Sequence, residues 1–284
     1  MAGGRLADRR AGRAVTNHVR YIAAAEGLPV LDGRLTVKLG ADDTAGAYSF
    51  LRGHTPPGLG PPLHVHELED ETFYVVRGTY EMQCGEELVT VGPGSCLHLP
   101  RYTPHTFRNV SDEQGELVEL MTPGGLDRYF DAVSHLGPSA DDLVTRTDIG
   151  RPFGISFLDD PGAYIGPPLG KIRRPITVTS RGEGNRVDLG GQEAACLLDR
   201  AEAGGTHSLY EVELTPNEAL RLTPHPGRSL VFVIDGRVAV ESGADAFEAG
   251  TEDAIGIPPR IDVEIVNTDG RPARFLVVSI EAAT

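Results

Sequence analysis

The strongest constraint on how this chain can fold is an internal repeat: residues 78–109 align without a gap on residues 236–267, an offset of 158. Gly78, Gly85, Gly92, Pro100 and Asn109 are matched by Gly236, Gly243, Gly250, Pro258 and Asn267. These are turn formers, and most residues between them differ, so what repeats is the spacing of chain reversals. Upstream the offset drifts to about 160, where Thr55 and Pro56 match Thr215 and Pro216. A chain of 284 residues can bury two cores of ordinary size. Two similar domains are therefore predicted. Short Val/Ile/Leu/Phe runs between turn residues, with 35 Gly, 21 Pro and no Trp, predict an all-β fold with few long helices.

Between the repeats, Leu126, Tyr129, Phe130, Val133 and Leu136 recur at helical spacing. They predict one short amphipathic helix, packed on the outside of the first domain rather than closing over a pocket. Pro138 ends it, and Ser139 is placed to cap a second short helix through Asp142 to Thr147. The expected organisation is a flexible tail over 1–13, a first domain over 14–122, a helical linker over 123–164 and a second domain over 165–284.

Chemistry concentrates in the first domain. His64 and His66 are two residues apart, so on a strand both imidazoles share one face and can meet one ion. Glu71 follows His66 by five residues, an odd step, and joins them only if a break through Glu67 to Asp70 re-aims it. Of the neighbouring carboxylates, Glu69 and Asp70 are expected in solvent, because the alternation Glu71, Phe73, Val75 faces inward. His105 opens a later strand, with Phe107 and Asn109 on its face. Three imidazoles and one carboxylate suit Fe, Mn, Ni, Cu or Zn rather than Mg or Ca, which prefer all-oxygen shells. Phe50, Phe73, Tyr102 and Phe107 are candidate pocket walls around such an ion.

Gly58, His64, His66, Glu71 and Gly78 fill G(x)5HxH(x)4E(x)6G; Gly94, Pro100, His105 and Asn109 fill G(x)5P(x)4H(x)3N. Both strings resemble the two cupin motifs, with Tyr102 where the family often has Gly. The first 165 residues are more narrowly similar to quercetinase-like cupins, in PPGLGPPLHVHELEDETFYVVRG, LPRYTPHTFRN, TPGGLDRYFDAV and GISFL. The resemblance implies two cupin barrels, each a double-stranded β-helix or jelly roll, joined by a short helical connection. It further implies one divalent transition metal on His64, His66, Glu71 and His105, with Fe2+ favoured and Mn2+, Ni2+, Cu2+ or Zn2+ as the alternatives. Its leading activity is a dioxygenase acting on a small enol, phenol or aromatic substrate, with Glu71 as ligand and catalytic base. A metal-assisted isomerase or polyketide-type cyclase uses the same ligands, and a non-catalytic binding bicupin is the third reading. Cupins of this kind commonly form homodimers.

The second domain is expected to be silent. Leu222, Pro224, Ser229 and Val263 stand at its four ligand positions, and His225 is one residue off register, on the wrong strand face. With 41 acidic against 26 basic residues, a formal charge of −15, the chain repels nucleic acid and anionic membrane surfaces; the expected partners are a small substrate and dioxygen. Three cysteines with no paired spacing, and no apolar run of signal-peptide or membrane-spanning length, lead to a cytoplasmic expectation.

Overall fold

The computed structural model describes residues 18–31, 33–136, 143–158, 175–243 and 245–282, without the side chains of residues 143 and 144. The expected tail over 1–13 lies outside the described residues. The described chain is mostly antiparallel β-sheet, as two jelly-roll barrels. In the first barrel a seven-stranded sheet runs in the order Thr177–Thr179, Cys96–Leu99, Asp70–Arg77, Gly115–Thr122, Ser49–Thr55, Leu35–Leu39, Leu28–Val30. Facing it is a five-stranded sheet ordered Ile155–Phe157, His64–His66, His105–Asn109, Tyr80–Cys84, Glu87–Val91. The second barrel pairs a seven-stranded sheet with a four-stranded one, Ala219–Leu222, Val263–Val266, Arg237–Ser242, Asp245–Gly250.

The repeated turn formers do the same work twice. Gly78 and Gly236 take φ of 89° and 92°, where an L side chain is strained, and a Cβ on either would press on the backbone of Gly115 or Ala273. Asn109 Nδ2 donates to the carbonyls of Thr55 and Glu113, as Asn267 Nδ2 does to those of Leu214 and Arg271. Each amide pins one corner of its barrel.

Each barrel completes its large sheet with a strand from the far side of the expected boundaries. Arg20–Ile22 pairs with Ala254–Ile257 of the second barrel, and Thr177–Thr179 pairs with Cys96–Leu99 of the first. The chain after the first of these strands is held by Lys38, whose ammonium donates to the carbonyls of Ala23, Ala24 and Glu26 at 2.7–2.9 Å. The two large sheets then share an apolar layer, to which the first contributes Tyr48, Phe50, Tyr74, Val118 and Leu120, and the second Leu230, Phe232, Leu276 and Val278. At about 1.5–3 kcal/mol for each large apolar side chain removed from water, this layer makes the two barrels packing partners rather than beads on a string. Polar contacts frame it: Arg52 bridges Glu116 at 2.6 Å and Glu252 at 2.5 Å, and Tyr74 Oη donates to Glu211 at 2.5 Å.

In the linker the first predicted helix forms over Asp127–Ser134, and the second runs over Leu143–Gly150. Leu126, Tyr129 and Val133 are buried against Val30, Val37, Leu51, Met121, Ile155 and Phe157, closing the flank of the first barrel. The strand Ile155–Phe157, which had no sequence prediction, joins the edge of His64–His66.

Candidate metal centre

Three of the four expected donors come from one sheet and the fourth from the sheet opposite. His64–His66 is a three-residue strand beside His105–Asn109, with His64 and His105 directly paired. Residues 67–69 break the strand, and Asp70–Arg77 then starts in the facing sheet. The odd step from His66 to Glu71 is therefore a passage of the chain from one sheet to the other, with Leu68 exposed on the way, and it turns Glu71 back toward the histidines. One ligand atom from each of His64, His66, Glu71 and His105 lies within 4.8 Å of the other three, and all four residues are buried. The imidazole centroids are 4.2 Å apart for His64 and His105, 5.0 Å for His64 and His66, and 5.2 Å for His66 and His105.

Hydrogen bonding sets the tautomers. His64 Nδ1 lies 2.8 Å from the carbonyl of Pro62, and His105 Nδ1 lies 2.9 Å from that of Thr103. A carbonyl only accepts, so each Nδ1 carries the proton and each neutral ring keeps its Nε2 lone pair for the interior. His105 Nε2 is 2.8 Å and His66 Nε2 3.3 Å from Glu71 Oε2. A lone pair facing a carboxylate oxygen is repulsive unless a cation or a proton is shared between them. Burial, with the neighbouring His105 and His66, lowers the His64 pKa well below its usual value, so that ring stays neutral and keeps its donor atom. Burial by itself would raise Glu71, and it is positive charge on the side of His66 and His105 that outweighs burial and holds the carboxyl below the ordinary range, the charge that a cation among the donors also supplies. Three inward imidazoles, one ionised carboxylate and the buried, unbonded nitrogens of His66 fit a divalent transition metal.

The aromatic residues divide. Phe73 lies 6.4 Å from the His105 ring and 5.6 Å from Phe107, placing both beneath the donors. Phe157, from the unexpected strand, lies 6.0 Å from His64. Tyr102 adopts φ of 66°, the left-handed conformation that explains the family's glycine, and its amide donates to the carbonyl of His66. Phe50 requires a correction: it packs edge to face with Phe232, 5.5 Å away in the layer between the barrels. On that strand Leu51 turns to the first barrel's side and Phe50 to the second barrel.

The burial of three further carboxyl groups was not legible in the sequence. Glu69, expected in solvent, is 4% exposed, and burial pushes its pKa up to about 8. Asp70 is likewise buried, where it accepts from the backbone amide and Nε of Arg101 at 2.8 and 3.0 Å. Glu119, also 4% exposed, points into the barrel from the strand Gly115–Thr122, and burial followed by the Glu71 charge raises its pKa well above the carboxylate range. Inward parity on that strand was the available signal, since Leu117 and Met121 share its face.

The second barrel repeats the frame without the donors. Leu222 pairs with Val263 as His64 pairs with His105, and Ser229 pairs with Ile257 as Glu71 pairs with Leu99. Its interior is packed with Leu222, Val231, Val263, Ile265 and Phe275. His225 bonds to Ser229 Oγ at 2.9 Å and to the amide of Gly227, outside any cluster of metal-type donors among the described residues.

Comparison with known proteins agrees with this architecture. The cupin domain model matches residues 52–121 and again 210–279. A quercetin 2,3-dioxygenase of Bacillus subtilis (strain 168) is 28% identical over 88 residues, 31% of this chain and 26% of that protein, so the match spans about a quarter of its length. Polyketide synthase CurC of Streptomyces cyaneus is 29% identical over 116 residues, 38% of this chain and 75% of that protein. Among solved structures, an oxalate decarboxylase variant from Bacillus subtilis superposes with a TM-score of 0.64 at 18% identity, covering 92% of this chain and 77% of the other. A further structure of that enzyme, described by its Mn(II) centers, gives a TM-score of 0.60 at 17% identity, covering 88% of this chain and 73% of that one. With two cupin repeats in two packed jelly rolls, one lined by metal-type donors and one filled with apolar side chains, the chain belongs to the cupin superfamily as a bicupin.

Proposed function

We propose that the first barrel is the active site of a metal-dependent dioxygenase for a small enol, phenol or aromatic substrate, with His64, His66, Glu71 and His105 holding one divalent transition ion. The observation that carries this reading is the convergence of three imidazoles, two of them with Nε2 free for a cation, and one carboxylate in a buried cluster above Phe73 and Phe107. When bound, the ion supplies Lewis acidity that lowers the pKa of a coordinated substrate hydroxyl and, if redox-active, a route for reaction with dioxygen. The residues supply the rest. Carbonyls of Pro62 and Thr103 lock two imidazoles in one tautomer. Glu71 Oε2 is engaged by the histidines, and Oε1, which makes no hydrogen bond among the described residues, takes the substrate proton as general base. Phe73, buried, and Phe107, half-buried, supply an apolar wall for a flat ring. The sequence relationship to a quercetin 2,3-dioxygenase supports the oxygenase form. The test is oxygen uptake by Fe2+- and Mn2+-loaded protein with a flavonol and catechol panel, beside an anaerobic control. Substrate-dependent uptake is expected; product formation that is unchanged without oxygen removes the dioxygenase.

A second reading, a non-redox cyclase or isomerase with the ion as Lewis acid, is favoured by the match to CurC, which covers three quarters of that protein. Anaerobic turnover with the Zn2+ form is its distinguishing result.

A further inference from the structure

We infer that the Glu119 carboxyl is a second polar anchor of the first barrel, a specificity-determining group that hydrogen-bonds a hydroxyl of the substrate one side-chain layer below the four metal-type donors. The inference rests on the small-substrate reading above and adds a requirement for a distal hydroxyl. Glu119 lies opposite Phe73 in the ladder, while Met121, the next inward residue, lies opposite Glu71. One inward step along a strand is about 7 Å, the reach of a substituted aromatic ring. Phe73 and Phe107 stand in that layer.

Folding does not account for a carboxyl there. Glu119 is 4% exposed and makes no hydrogen bond or ion pair with any described residue, a state that costs stability in a barrel interior. The neighbouring strand nevertheless makes room for it. Gly53 has no left-handed φ that would call for glycine, and glycine weakens a strand. A Cβ on Gly53 would sit 3.0 Å from Glu119 Oε1 and equally close to Leu35 Cδ2, so the carboxyl and the Leu35 methyl share the space that the missing side chain leaves.

The second barrel supplies an internal control. Glu119 pairs with Leu51 and Phe73, and in the repeat Val277 pairs with Tyr210 and Val231. Gly53 pairs with Leu117, and Val212 with Phe275. Valine thus stands at both positions in the barrel that has lost its donors. The carboxyl and its glycine occur only where the donor cluster does, as expected of a residue that belongs to the site.

The test uses full-length protein loaded with Zn2+, which binds without redox turnover, and calorimetric titration with 4-ethylcatechol and 4-(2-hydroxyethyl)catechol. The wild type should bind the hydroxylated probe about tenfold more tightly, the worth of one buried hydrogen bond. Glu119→Leu should erase that preference while keeping one Zn2+ per chain and the affinity for 4-ethylcatechol, and its melting midpoint should rise by about 2 °C or more. Glu119→Gln, which keeps hydrogen-bonding capacity, should retain part of the preference. Equal affinities in the wild type, or a preference that survives in Glu119→Leu, overturns the inference alone. A lowered midpoint in Glu119→Leu assigns the residue to packing and also overturns it. If neither catechol binds the Zn2+ form of the wild type, the small-substrate reading falls and takes the inference with it.

Discussion

His64 and His105 are direct partners across an antiparallel ladder, and their rings lie 4.2 Å apart. Neither ring can be lost without opening the donor set on the same sheet. His64→Ala and His105→Ala are each expected to abolish stoichiometric metal retention after dialysis, read by elemental analysis. His225→Ala, in the barrel whose matching pair is Leu222 and Val263, should retain the wild-type content.

Glu71 separates holding the ion from moving a proton. Glu71→Gln keeps an oxygen donor and the side-chain volume but removes the base. Metal content should fall less than in His105→Ala, while turnover of any substrate found in the oxygen-uptake screen should drop by about 10²–10⁴-fold. Full activity in this variant would exclude Glu71 as base.

His207 ties the second barrel to the strand that carries Glu71. Its Nε2 is 3.1 Å from Thr72 Oγ1, which also lies 2.9 Å from His98 Nδ1. Burial first, then His98, lower its pKa from 6.5 to about 3, against the opposing charge of Asp70. As pH falls below 6.5 the unfolded chain takes up a proton that the folded chain refuses until about pH 3, so this contribution is intact above pH 6.5 and lost progressively on acidification. Between pH 7 and pH 5 it amounts to about 2 kcal/mol. Denaturant unfolding at the two pH values should show His207→Gln losing less stability than the wild type by about that amount.

Phe50 tests the apolar layer between the barrels. Its ring is 2% exposed and meets Phe232 edge to face. Phe50→Ala should cost about 3–5 kcal/mol of stability and leave metal stoichiometry unchanged. A loss of metal affinity with unchanged stability would return Phe50 to the site.

The reach of the sequence can be judged residue by residue. Gly78, Asn109 and their partners at 236 and 267 announced two copies of one turn pattern, because left-handed φ and corner hydrogen bonds are local demands that a residue type reveals. The pair His64 and His66, and the later His105, were legible for the same reason: strand parity is local. So was the silence of the second barrel, where apolar residues occupy the same registers. Parity, however, says only that two faces differ, and what covers each face depends on chain far away. Phe50 faces the other barrel, Glu69 and Asp70 lie buried instead of in water, and Arg20–Ile22 and Thr177–Thr179 complete sheets across the boundary between barrels. Glu119 reads as one more acidic residue until the fold sets it inside a barrel beside a glycine that makes room for it. Residue type and spacing determined the turns and the donor set; burial, decided by which surfaces meet, belonged to the tertiary structure alone.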